Sequence, residues 1–185
     1  MAAPVLTGPR ITLRPLRPTD VEARRAHGFH AEIERNYGSE RGDGPMSPEE
    51  ALAWHDSALA AGDTFWLVEV GGAVAGAAFL HSVREVDSKA HFAIGMFAPQ
   101  FMGKGVGTEA TGLVLDHAFG DLGLHRVTLR VLSFNAAAIA CYERSGFLVE
   151  GRERESCHMG ERWYDDVIMG IVVSDPRPSV VGPAG

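Results

Sequence analysis

Three glycines on alternate positions, in Gly103-Lys104-Gly105-Val106-Gly107, stand between a β-like run and a helix-like run. No other feature restricts the fold of this chain as much. Glycine inside ordered structure costs backbone entropy. A triple therefore belongs where the chain must turn with positive φ or lie against a ligand with no side chain between. The segment that follows has apolar residues at Val106, Ala110, Leu113, Val114 and Ala118, the stripe of an amphipathic helix. A helix starting there offers unpaired N–H groups and the positive end of its dipole. Loop and helix start together form a cradle suited to a pyrophosphate.

Three loop types compete for this segment. A P-loop needs GxxxxGK followed by Ser or Thr, and here Lys104 is followed by Gly105. A dinucleotide loop needs GxGxxG/A, which Gly105-Val106-Gly107-Thr108-Glu109-Ala110 matches. It also needs a carboxylate at the end of the next strand. That strand, Arg126–Leu132, runs instead into Ser133-Phe134-Asn135, so a dinucleotide-dependent oxidoreductase is the weaker reading. The third pattern is Q/R-x-x-G-x-G/A, present as Gln100-Phe101-Met102-Gly103-Lys104-Gly105.

The rest of the chain alternates short strands and helices. Ile11, Leu13 and Pro15 share one side of a predicted strand. Thr19-Asp20 offers an N-cap for a helix containing Val21, Ala23 and Ala26, and residues 37–45 read as a Gly-rich loop. Ser47-Pro48-Glu49-Glu50 predicts a helix start with a capping box, running to about Ala61. Residues 64–70 and 73–81, joined at Gly71-Gly72, predict a hairpin. Residues 90–98 form the strand before the glycine loop. Asn135 to Ser145 reads as a helix closed by Gly146. Two further strands follow, at 147–150 and 163–173. Residues 175–185 are too rich in Pro and Gly to pack and are read as a tail behind one domain of residues 1–174. The order predicts a mixed α/β domain rather than a strict βαβ repeat.

Composition narrows the partners. Of 185 residues 45% are hydrophobic and 22% charged, which suits a globular domain. A net charge of −7 without a basic block argues against nucleic acid held by its phosphates. Cys141 and Cys157 form no CxxC pair and read as idle reduced thiols rather than a disulfide framework or zinc site. The first residues lack the pattern of a signal peptide, and no apolar run reaches the roughly 18 residues of a membrane span. The expectation is a cytoplasmic protein.

A second block strengthens the third pattern: Asn135-Ala136-Ala137-Ala138-Ile139-Ala140-Cys141-Tyr142-Glu143-Arg144-Ser145-Gly146-Phe147. With it the chain resembles the GNAT superfamily of acyl-CoA N-acyltransferases, whose segment reads N-x-x-A-x-x-x-Y-E-x-x-G-F. The opening residues 6–16, Glu150-Gly151-Arg152-Glu153-Arg154-Glu155 and Gly160-Glu161-Arg162-Trp163-Tyr164-Asp165-Asp166 are similar to the Rim-type branch, which includes ribosomal-protein and spermidine acetyltransferases. The resemblance implies a mostly antiparallel central sheet of about seven strands with flanking helices. It implies acetyl-CoA as cosubstrate with no metal. The acceptor would be a primary amine of a small molecule or a protein N-terminus, and a homodimer is compatible with the branch. A non-catalytic CoA-binding regulatory domain of the same fold is the alternative.

Site residues follow residue by residue from that likeness. Met96, Phe97 and Ala98 are expected along the pantetheine arm. The backbone N–H groups of Met102, Gly103, Lys104, Gly105, Val106, Gly107 and Thr108 are expected on the pyrophosphate, with the Lys104 and Arg144 side chains beside them. Asn135 and Ala138 are expected against the arm. Tyr142 is the implied general acid, because a phenol with pKa near 10 keeps its proton at neutral pH. Many Rim-type relatives carry a glutamate where this chain has His91, so His91 is the candidate base. Glu34, Glu40 and His81 are weaker candidates. Glu32, Glu34, Glu40, Asp43, Glu49 and Glu50 form either a carboxylate surface for a cationic acceptor or an ordinary solvated face. Trp54, Phe65 and Trp66 are expected in the core.

Overall fold

The computed structural model describes residues 3–61 and 64–178. Its strands are β1 (Leu6–Thr7), β2 (Ile11–Arg14), β3 (Phe65–Val70), β4 (Ala73–Arg84), β5 (Lys89–Met96), β6 (Arg126–Leu132), β7 (Leu148–Met159) and β8 (Arg162–Val172). They form one sheet in the order β1-β2-β3-β4-β5-β6-β8-β7. Every neighbouring pair is antiparallel except β5 and β6. The helices are α1 (Asp20–His27), α2 (Ala31–Asn36), α3 (Pro48–Ala60), α4 (Val106–Gly120) and α5 (Ala136–Arg144).

Two elements go beyond the sequence expectation. The sheet has eight strands rather than about seven, because Leu6–Thr7 folds back on Ile11–Arg14 as a short edge pair. Three helices, not two, separate β2 from β3. The extra one, α2, has six residues and too few turns to show a periodic stripe. Helix α3 starts as its capping box predicts: Glu50 N donates to Ser47 Oγ, and Ser47 N donates to Glu50 Oε2. Asp20 does not cap α1. Its carboxylate is buried and accepts both terminal nitrogens of Arg14 at 2.9 Å, while Arg14 Nε reaches Glu69 at 2.6 Å.

The alternation of strand side chains sorts the core onto two faces. On one face, Leu13, Trp66, Val68, Phe92, Leu129 and Met169 pack under Ala110 and Val114 of α4. On the other, Phe65, Leu67 and Ala77 pack with Ala58 of α3, and Trp54 and Phe97 lean on that cluster. Full burial of a large apolar side chain is worth about 1.5–3 kcal/mol, so α4 is anchored along its length by core contacts. The joint that matters for function lies between β5 and β6. They pair only as Lys89↔Arg126, Ala90↔Val127 and His91↔Thr128, then diverge. Beyond His91 the β6-facing edge of β5 has no strand partner, and the sheet opens into a cleft.

Residues 175–178, read as tail, run back over α4. Arg177 lies 5.1 Å from the Phe119 ring centre and pairs with Asp116. Residues 179–185 of the expected tail lie outside the described residues. Among the described residues no helix is long and apolar enough to cross a membrane.

Candidate acyl-transfer site

A cavity of about 650 Å³ fills the cleft between β5 and β6. It passes from the face of α4 and α5 to the face of α2. Its walls are residues 92–96 of β5, the glycine loop, one side of α5, the end of β6, and Ile33, Asn36 and Tyr37.

The glycine loop keeps its shape through positive φ, +69° at Gly103 and +78° at Gly105, a region that non-glycine residues enter only with strain. Gly105 is the N-cap of α4, with no side chain to satisfy the first N–H groups of the helix. Arg10 braces the loop from outside. Its Nη1 donates to the Lys104 carbonyl at 2.9 Å and its Nη2 to the Gly105 carbonyl at 3.4 Å. A trans peptide points its N–H opposite to its C=O, so the N–H groups of Gly105 and Val106 turn away from Arg10. Glu109 of α4 locks this brace. Its carboxylate accepts Arg10 N at 2.8 Å, Arg10 Nε at 2.7 Å and Ile11 N at 3.3 Å. A second cavity of about 410 Å³ adjoins the loop, bordered by Arg10, Glu109, Arg144 and Arg177.

Helix α5 supplies the other wall. The Asn135 Oδ1 caps the helix by accepting Ala138 N at 3.2 Å, which leaves its amide nitrogen free to donate elsewhere. Small Ala137 and Ala138 let the cavity approach the helix backbone, and Arg144 borders both cavities. Tyr142 is 7% exposed, edge-on to Phe92 and Phe147. Burial, with the nearby Cys141 and Tyr37, pushes its pKa above the ordinary phenol value, so it is a neutral proton donor at pH 7. Burial also raises the Cys141 thiol, which makes it a poor nucleophile near neutrality.

A family model for the acetyltransferase (GNAT) domain matches residues 10–148. The chain belongs to the GNAT family. The spermidine N(1)-acetyltransferase of Escherichia coli is 37% identical over 86 residues, 46% of this chain and 46% of that one. The SPbeta prophage-derived uncharacterized N-acetyltransferase YokL of Bacillus subtilis is 27% identical over 172 residues, 92% of this chain and 94% of that one. The aligned stretches span less than half the length of the first two curated relatives matched. Among solved structures, spermidine N-acetyltransferase from Vibrio cholerae in complex with CoA and spermine has a TM-score of 0.75 at 25% identity, covering 89% of this chain and 96% of that one.

Within this GNAT domain the cavity gathers most of the expected site. Met96, Met102, Gly103, Gly105, Gly107, Thr108, Asn135, Ala138, Tyr142 and Arg144 all line it. Five expected residues stand outside its lining. Phe97 falls on the opposite face, where its ring packs against Trp54 and lies 4.7 Å under the Arg24 guanidinium; its N–H is taken by the Ala75 carbonyl. Ala98 is buried where the chain turns after β5, and Val106 is buried in the core. Lys104 is exposed and meets the site through its backbone. His91 sits at the closed vertex of the cleft. Its ring stacks on His81 at 5.4 Å, and its Nδ1 lies 3.2 Å from Thr128 Oγ1. The carboxylate surface also thins: Asp43 accepts the Ala31 N–H, and Glu50 serves the α3 cap and Arg41.

Other lining residues were not among the expected site residues. Asp166 is the acidic residue of the cavity among those described, and it is paired with Arg130 at 2.9 Å. Cys157 joins Cys141 in the lining, so neither thiol is remote from the site. Tyr37 and Gly95 meet across the cleft. A lone glycine inside a strand pattern was the available signal for Gly95, since it marks a close approach.

Proposed function

We propose that this chain is an N-acetyltransferase that uses acetyl-CoA and acts on a primary amine of a small molecule or a protein N-terminus. The observation that carries this reading is the position of Tyr142. A phenol held neutral by burial faces a cavity whose one end is a glycine-loop cradle and whose other end opens on the opposite face of the sheet.

Acetyl-CoA supplies an acetyl group activated as a thioester. The residues present fit it. The N–H groups at 102–108 and the Arg144 guanidinium suit a pyrophosphate. The unpaired edge of β5 at 92–96 and the amide nitrogen of Asn135 suit the amides of a pantetheine arm. Tyr142 Oη donates its proton to the departing sulfur. The whole exchange breaks one C–S bond and forms one C–N bond; the amine gives up one proton and the sulfur takes one. Asp166, although paired with Arg130, is the carboxylate of the described lining that a cationic amine would meet. His91, outside the lining with one ring nitrogen engaged by Thr128, is a poor match for direct proton uptake. Acidic net charge and lack of a basic block support a protein without nucleic-acid partners.

The test is release of free thiol from acetyl-CoA across polyamines, aminoglycosides, amino acids and N-terminal peptides. Tyr142→Phe lowers kcat by about 10²- to 10⁴-fold, the usual worth of a general acid. The alkaline limb of the wild-type kcat lies above the ordinary phenol pKa of about 10. A Tyr142→Phe enzyme at the wild-type rate would remove Tyr142 from the mechanism.

A further inference from the structure

One stretch of the cavity wall is explained neither by the glycine loop nor by Tyr142. It is made by Ile33, Asn36 and Tyr37, across the cavity from α5. Tyr37, the C-cap of α2, stands there with 58% of its surface exposed. Its hydroxyl is nevertheless packed. A Cβ built on Gly95 would lie 1.3 Å from Tyr37 Oη and 2.5 Å from its Cζ. The phenol tip thus fills the volume where β5 would otherwise carry a side chain. Behind it, Gly38 adopts φ +75°, and a Cβ there would meet Cys157 Sγ at 2.6 Å. The chain is wedged against β7 on one side and seated on β5 on the other, so Tyr37 is a fixed part of the cavity wall. Desolvation pushes its pKa up to about 12, so at neutral pH it is an uncharged wall.

We infer that Tyr37 sets the length of acyl chain that the site accepts. The inference rests on the acyltransferase reading above. Because Tyr142 is assigned to the sulfur, the acyl carbons lie past it, in the passage through the sheet, with the Tyr37 ring ahead of them. Acetyl places one methyl beyond the carbonyl. Each further methylene must displace a ring that Gly95 and Gly38 hold in place. A wall that rejects one methylene discriminates by about 10- to 200-fold.

Calorimetric binding of CoA, acetyl-CoA, propionyl-CoA and butyryl-CoA tests this without turnover. The wild type is expected to lose about tenfold or more in affinity between acetyl-CoA and butyryl-CoA. Tyr37→Ala removes most of that gap, and Tyr37→Phe, which keeps the ring, retains the wild-type order. An unchanged butyryl-to-acetyl ratio in Tyr37→Ala overturns the inference, as does a wild type that binds all three acyl forms equally. A wild type that binds no CoA sinks the acyltransferase reading and this inference with it, and that result is distinct from both. The contact has its own check. Gly95→Ala lowers Tm in the wild type and leaves Tm unchanged in the Tyr37→Ala background; equal losses in both would dissolve the contact.

Discussion

On the α4/α5 face, the wall of the cavity is held by directed bonds between distant segments. Arg10 and Glu109 join the start of β2 to the first turn of α4, and the Glu109 side chain is only 6% exposed. On the α1–α3 face, the wall is held more loosely. Arg24 is buried, its Nε has no hydrogen-bond partner, and it rests between the rings of Phe29 and Phe97. Burial lowers its pKa, the mark of a charge that is incompletely compensated. Charge-paired bonds of that face centre on Arg14 with Asp20 and Glu69, residues outside the cavity lining, while Arg24 adds one bond from its Nη1 to the Gly28 carbonyl at 2.8 Å. The difference separates two tasks. A cradle must present main-chain N–H groups at fixed positions, which requires braced carbonyls. An acceptor wall needs shape and a neutral surface, which aromatic rings and short helices supply.

The contrast can be broken by substitution. The largest expected effect is at Asp20. Asp20→Asn removes the bidentate carboxylate and leaves the buried Arg14 guanidinium with Glu69 as its remaining charged partner, a loss of about 2–3 kcal/mol, at or just below the range for a buried pair broken outright. Urea unfolding should show it, while the affinity for CoA at temperatures well below Tm stays close to wild type. A CoA affinity that falls in step with stability would mean that the two faces are not separable.

Glu109→Gln comes next. It replaces a charge-assisted bond with a neutral one at a site whose arginine is mostly exposed, a loss of about 1–2 kcal/mol. The brace on the Lys104 and Gly105 carbonyls loosens, so CoA binds about tenfold more weakly, which equals about 1.4 kcal/mol. Unchanged CoA binding in Glu109→Gln would show that the loop holds its shape without the brace.

Asp166→Asn should raise the acceptor KM several-fold with little change in CoA affinity, since it removes about one surface-like ion pair's worth of attraction. An effect on CoA rather than on the amine would move Asp166 to the other half of the cavity.

The smallest effect concerns pH. His27 Nε2 meets the Val74 carbonyl at 2.8 Å, yet burial holds its pKa below the ordinary histidine value. The unfolded chain then binds a proton that the folded chain refuses. Stability therefore falls as pH drops through about 6.5, the ordinary value, toward the folded one. His27→Gln should flatten that acid limb in melts between pH 8 and pH 5. An identical limb would assign it to other groups, such as His81, whose pKa burial also lowers.

Some of this was legible along the chain because it is local. Ser47 and Glu50 are three residues apart, so a capping box can be read from spacing and is present as read. The Asn135 cap and the glycine turn before α4 are equally short-range. Helix α2 was missed because six residues hold too little period to stand out from a polar loop. The displacement of Phe97 from the arm was missed because strand parity and the turn after Met96 decide its face.

The sequence by itself determined the elements that repeat or cap within a few residues, and the order of motifs that marks the family. The tertiary structure alone decided what faces the cavity. Arg10 and Glu109 are 99 positions apart, and Tyr37 meets Gly95 because strand parity turns the side-chain position of Gly95 toward the residue after α2. Such contacts depend on strand register and sheet order, where a shift of one residue turns every side chain to the other face. Local spacing carries no information about that choice, and it settles which residues a substrate would touch.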